Sequence, residues 1–129
     1  LLKSISQRLV ACVRTTDTVS RHGGDEFVVL LSEVARKEDA AVSAEKIITA
    51  LRIPHRILEN DLQVTASVGI SVFPDHGTDA DTLMRNADTA LLHAKESGRD
   101  RHAFFEPSAR ARKARARSGS PARTASPAR

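Results

Sequence analysis

With 129 residues, 40% of them hydrophobic and 3% aromatic, the chain holds material for one domain with a modest core, and no apolar stretch approaches the length that a bilayer demands. The net charge of +4 comes from one end: residues 106–129 carry seven Arg or Lys against one Glu, which leaves 13 basic and 15 acidic residues in positions 1–105, so the body is mildly acidic and gives no support to nucleic-acid binding. A single cysteine, Cys12, excludes an internal disulfide and any cysteine-based metal cluster.

The chain opens on Leu1-Leu2 without Met, and Leu2, Ile5, Leu9 and Cys12 or Val13 recur at three-to-four spacing. That spacing predicts an amphipathic helix ending near Arg14, and because no capping residue precedes it the sequence is expected to be a fragment. Cys12 lies on the apolar face, where core packing is expected. Nothing at the start combines basic residues with a long apolar run as a secretory leader would, so a cytoplasmic location is expected.

Extended runs at 19–22 and 25–31 flank Gly23-Gly24, a pair suited to the positive φ angles of a two-residue hairpin turn. On strands, the adjacent side chains of Asp25 and Glu26 would point to opposite faces unless the turn distorts the pleat. A second helix is predicted over 38–51, with Ala41, Ala44, Ile48 and Leu51 on one face and Pro54 past its end. Over 64–73, Val64, Ala66, Val68, Ile70 and Val72 alternate with small residues, which predicts an interior strand with close neighbours on one side. Asp79 or Asp81 is placed to cap a third helix through Lys95, buried along Leu83, Ala87, Ala90, Leu91 and Ala94 and closed by Ser97-Gly98. A short strand is predicted at 102–105. The remainder is Ala, Arg, Ser and Pro, a composition that does not offset the entropy of ordering. The expected division is therefore a folded body over 1–106 and a disordered basic tail over 107–129. His22, His55, His76, His93 and His102 show no metal-ligand spacing and are expected at the surface or in turns. Met84 and the four Phe residues are expected in or near the core.

Three segments, in order, carry a family resemblance. Arg21-His22-Gly23-Gly24-Asp25-Glu26-Phe27-Val28-Val29-Leu30-Leu31 resembles the signature hairpin of GGDEF-type diguanylate cyclases. Val64-Thr65-Ala66-Ser67-Val68-Gly69-Ile70 resembles the long strand of those enzymes. Ala87-Asp88, Ala90-Leu91 and Ala94-Lys95-Glu96-Ser97-Gly98-Arg99 resemble their last helix. The resemblance covers residues 1 to about 106, roughly the final two thirds of such a domain. It implies an α+β sandwich, nucleotide-cyclase or ferredoxin-like, with a mainly antiparallel central sheet flanked by helices and here incomplete. The implied activity is condensation of two GTP into cyclic di-GMP with release of pyrophosphate, in a homodimer that uses Mg²⁺ or Mn²⁺. The segment Phe104-Phe105-Glu106-Pro107 resembles the junction to an EAL phosphodiesterase domain, a partner domain in relatives.

By the same resemblance Asp25 is a metal ligand, and Glu26 assists the metal or the attacking hydroxyl. Gly23 and Gly24 admit phosphate oxygens to the backbone, Lys95 and Arg99 meet the triphosphate, and Arg14 with Asp17 forms the RxxD inhibitory site for cyclic di-GMP. Taken alone, each feature has a plainer reading: a hairpin turn with solvated acids, basic residues that complement a helix C-terminus, a helix-end Arg followed by a turn-forming Asp. The family's earlier strand with a further metal-binding Asp, and the helix with the Asn and Asp that read guanine, would precede Leu1, so cyclase activity is not expected of this fragment. Loss of an interior strand would leave the strand at 27–31 with an open edge or a different partner, and poor solubility or only partial folding is expected. Leu92 and Asp100 depart from the family's frequent Tyr and Asn. Two rival functions are a catalytically dead cyclic di-GMP receptor using Arg14 and Asp17, and nucleic-acid binding through the tail.

Overall fold

The structure is a computed structural model that describes residues 1–107 and 124–128. The chain runs α1 (Leu2–Cys12), β1 (Thr18–Arg21), β2 (Phe27–Leu30), α2 (Lys37–Arg52), β3 (His55–Ile57), β4 (Asn60–Leu62), β5 (Ser67–Ser71), α3 (Ala80–Glu96), β6 (His102–Phe104) and β7 (Thr124–Ala128). The main sheet has the order β1-β2-β7-β5-β6. It is antiparallel except where β5 runs parallel to β6, and β3 and β4 form a separate hairpin. The expected α+β class and mainly antiparallel sheet are what the chain adopts.

Strand β5 decides the layering, because alternate residues of a strand leave opposite faces of a sheet. Val68 and Ile70 join Phe27, Val29 and the apolar stripes of α1 (Ile5, Leu9) and α2 (Ala40, Ala44, Ile47, Ile48, Leu51) in one core. Ser67, Gly69 and Ser71 face α3: the Ser71 hydroxyl donates to the Leu83 carbonyl at 2.6 Å, and a Cβ built on Gly69 would lie 2.2 Å from the Ala87 carbonyl oxygen. The small residues let the helix backbone settle on the strand. Helix α3 starts where Asp79 accepts the Thr82 N–H at 2.6 Å. It ends in a left-handed Gly98 (φ +124°), with Arg99 N–H donating to the Ala94 carbonyl at 3.0 Å and Gly98 N–H to the Lys95 carbonyl at 3.3 Å. These are the paired bonds of a Schellman closure.

Several expectations are corrected. The hairpin strands are Thr18–Arg21 and Phe27–Leu30 with Arg21 paired to Phe27, so five residues make the connection, not Gly23-Gly24 alone. On α2 the inward positions are Ala40 and Ile47 beside Ala44, Ile48 and Leu51, and Ala41 is only half-buried. His55 is buried and not superficial, and His76, in a turn as expected, is buried as well. The tail expectation lies outside the described residues over 108–123 and at 129, but Thr124–Ala128 form β7, between β2 and β5. Strand β2 thus takes the different partner that was one of the two expected outcomes. No helix among the described residues is long and apolar enough to cross a membrane.

Candidate functional site

The connection between β1 and β2 is a tight turn: Glu26 N–H donates to the Gly23 carbonyl at 3.0 Å and His22 N–H to the Glu26 carbonyl at 2.8 Å. Gly23 (φ +102°) and Gly24 (φ +54°) hold left-handed backbone, and a Cβ at either would meet nothing within 4 Å. Conformation, not crowding, therefore calls for glycine here, and the space over both residues is open to a ligand. Arg21 braces the turn, its Nε donating to the Gly24 carbonyl at 2.9 Å. Asp25 and Glu26 are half-buried and belong to the connection, not to the strand. The pleat rule that would send them to opposite faces does not govern them.

The sheet brings this turn and the end of α3 to one side. Strands β2 and β5 are each antiparallel to β7 and so parallel to one another, and β5 is parallel to β6. The starts of β2 at Phe27, β5 at Ser67 and β6 at His102 consequently share one end of the sheet. Lys95, half-buried in the last turn of α3, and Arg99, exposed in the loop entering β6, lie at that end too. The two cations do not share a helix: α3 stops at Glu96, and Arg99 (φ +62°) follows the Schellman turn. Its loop is fixed by Asp100, which takes the Arg52 guanidinium at 3.0 Å, and by Arg101 Nε donating to the Arg99 carbonyl at 3.0 Å. Asp100 (φ +51°) adopts a left-handed backbone that Asn and Asp tolerate better than most residues.

Arg14 and Asp17 lie at the opposite end, where α1 hands over to β1. Asp17 accepts the Arg14 N–H at 2.9 Å on one oxygen and the Ser32 N–H at 3.1 Å on the other. A cavity of about 560 Å³ opens here, lined by Arg14, Asp17, Leu31, Glu33, Asp39 and Val42 among others. That volume is in the range of small-molecule sites.

Sequence reasoning assigned nothing to the cluster that anchors α1. Arg8 donates to the carbonyls of Ala50 at 2.9 Å, Pro54 at 2.8 Å and Ile53, filling acceptors that the end of α2 leaves bare. Beside it, buried His55 lies 2.6 Å from the Ser4 hydroxyl through Nδ1 and 3.2 Å from the Leu51 carbonyl through Nε2. Nε2 therefore carries the proton toward Leu51, and Nδ1 accepts from Ser4. Burial, and secondarily the Arg8 guanidinium, push the His55 pKa below its ordinary value, against the Leu51 carbonyl, which raises it. Burial likewise pushes the Cys12 thiol up, in keeping with packing and not reactivity.

Residues 1–101 match the family described as "Diguanylate cyclase, GGDEF domain". The bifunctional diguanylate cyclase/cyclic di-GMP phosphodiesterase MucR of Pseudomonas aeruginosa is 43% identical over 108 residues, a match that takes in 84% of this chain and 16% of MucR. The solved structure of an N-terminally truncated mutant of TpbB (YfiN) from the same organism, comprising only its GGDEF domain, superposes with a TM-score of 0.80 at 33% identity, covering 81% of this chain and 62% of that one. An EAL/GGDEF domain protein from M. capsulatus gives a TM-score of 0.76 at 38% identity, covering 82% and 68%. This chain thus spans about a sixth of the length of MucR.

Proposed function

We propose, on the premise that this chain belongs to the GGDEF diguanylate cyclase family, that the β1–β2 turn and the end of α3 together receive the triphosphate of GTP. The observation that carries this reading is the shared sheet end: an open left-handed glycine turn with two carboxylates, and Lys95 and Arg99 on the segment that enters β6. Backbone next to a glycine admits phosphate oxygens closely, and two cations offset triphosphate charge.

The family's cyclases are metal-dependent, and the donors here suit Mg²⁺, which takes one or two carboxylates and completes its shell with phosphate and water. Asp25 and Glu26 would hold it. No group of three or more His, Cys, Asp or Glu suited to a metal occurs among the described residues, so the chain offers a partial shell. When bound, the ion neutralises charge developing at the α-phosphate as a ribose 3′ hydroxyl attacks and pyrophosphate leaves. Asp25 and Glu26 orient that end of the triphosphate, while Lys95 and Arg99 hold the leaving phosphates. Condensation needs a second GTP, and in this reading a second copy of the domain presents it. With so small a carboxylate set, the chain by itself binds nucleotide without turning it over to cyclic di-GMP.

Titration with GTP in Mg²⁺ tests this. Binding should weaken by about tenfold in Lys95→Ala and in Arg99→Ala, the scale of one charge-assisted hydrogen bond, and guanosine should not feel either change. Equal GTP affinity in all three chains would overturn the assignment.

A second reading has its own support. The cavity at Arg14 lies at the opposite end of the sheet from the glycine turn, and capture of cyclic di-GMP there does not depend on catalysis.

A further inference from the structure

We propose that Arg52, at the end of α2, is a positioning residue for the triphosphate site: it takes the Asp100 carboxylate and so removes a negative charge from beside Arg99. This rests on the reading of the shared sheet end as the place that receives the phosphates of GTP. Arg99 and Asp100 are consecutive, so their Cα atoms stand about 3.8 Å apart, and a phosphate that meets Arg99 also enters the field of the Asp100 carboxylate. Left unpaired, that carboxylate would offset the cation next to it.

The loop fixes where the carboxylate starts. Gly98 (φ +124°), Arg99 (φ +62°) and Asp100 (φ +51°) hold three successive left-handed conformations, a run that L residues rarely adopt. It is anchored on both sides: Arg99 N–H donates to the Ala94 carbonyl at 3.0 Å, and the Arg101 carbonyl accepts the Val68 N–H of β5 at 2.9 Å. Arg101 is turned to other work. Its Nε donates to the Arg99 carbonyl at 3.0 Å, and its terminal nitrogen lies 2.7 Å from where a Cβ on Gly98 would stand. Among the described residues the cation at Asp100 is Arg52, whose guanidinium reaches Oδ1 at 3.0 Å from 48 residues away.

The pair is a poor fastener for the fold. Its side chains are 47% and 35% exposed, and exposed ion pairs add little to stability and are screened by salt. The same exposure leaves the charge of Asp100 open to a phosphate arriving from solvent, and there a neutralising partner matters. A structural tie and a charge shield predict opposite results when Asp100 loses its charge but keeps its shape.

The test titrates the full chain with GTP in Mg²⁺ at about 0.1 M and about 1 M salt, between which the screening length falls from about 10 Å to about 3 Å. The variants are Arg52→Ala, Asp100→Asn and the two combined; asparagine tolerates the left-handed backbone and keeps an acceptor oxygen. At low salt Arg52→Ala should bind GTP about threefold more weakly, within the range of an exposed charge pair. Asp100→Asn should bind at least as well as the unmodified chain, and the double variant should match Asp100→Asn. The loss in Arg52→Ala should shrink at high salt. Three results would each overturn the role of Arg52 and leave the triphosphate reading standing: unchanged affinity in Arg52→Ala, an equal loss in Asp100→Asn, or a loss from Arg52→Ala that persists when Asp100→Asn is added. Absence of GTP binding by the unmodified chain overturns the triphosphate reading, and the role of Arg52 with it.

Discussion

Leu91 lies with its backbone directly over Gly69: a Cβ at position 69 would fall 2.3 Å from the Leu91 nitrogen and 2.7 Å from its Cα. The close approach explains why β5 alternates large and small residues, since Val68 and Ile70 fill the core shared with α1 and α2 while the other face is cut back to admit α3. Backbone atoms cannot rotate away as a flexible side chain can. Gly69→Ala should therefore destabilise the chain by about 3 kcal/mol, the upper end of ordinary overpacking costs, read as a lower urea midpoint. An unchanged midpoint would mean that α3 does not sit on this strand as described.

The Arg8 guanidinium closes the end of α2 by donating to the carbonyls of Ala50, Ile53 and Pro54. Arg8→Ala leaves those acceptors to water and loosens α1 from α2, and should cost roughly 1.5–3 kcal/mol, the range of hydrogen bonds to a charged group. Arg8→Lys should recover only part of that, because one ammonium does not present the fork that reaches all three. Chemical denaturation of the two variants checks both the loss and its order.

His55 makes stability depend on pH. Its folded-state pKa is depressed, chiefly by burial, from the ordinary 6.5, so between the two values the unfolded chain binds more protons and stability rises with pH. The stabilisation is complete above about 6.5 and is lost as pH falls through the depressed value. Urea midpoints at pH 7.5 and pH 5 should show the fall, and His55→Gln should flatten it. Equal slopes in both chains would contradict the burial of a neutral imidazole.

Much of this fold is legible in the sequence because the signals are local. The three-to-four spacing of α1, the Asp79 cap and Gly98 closure of α3, and the alternation of β5 all appear in consecutive residues. The β3–β4 hairpin is not visible in that way: its turn places Leu58 (φ +47°) and Glu59 (φ +69°) in left-handed backbone, where Gly or Asn would ordinarily announce a turn. His55 is illegible for another reason, since Ser4 and Arg8 reach it from 51 and 47 residues away. His76 is buried by a turn that folds back on Val72, whose N–H donates to its Nδ1 at 2.9 Å. At the candidate site, the sequence names the residues but not their surroundings. Glycine and carboxylate identity point to the turn, whereas placing Lys95 and Arg99 at the same sheet end depends on parallel strands far apart in the chain. For the same reason the engagement of Asp17 by Ser32, 15 residues on, does not show in an RxxD pattern.

The central claim is that the carboxylates of the glycine turn face a nucleotide-bound cation. It is tested most directly by calorimetric titration of the chain with GTP, with Mg²⁺ and with the metal removed by chelation, alongside the double variant Asp25→Ala, Glu26→Ala. The account predicts Mg²⁺-dependent binding by the unmodified chain and loss of that dependence in the variant. Identical heats from both chains with and without metal would contradict it.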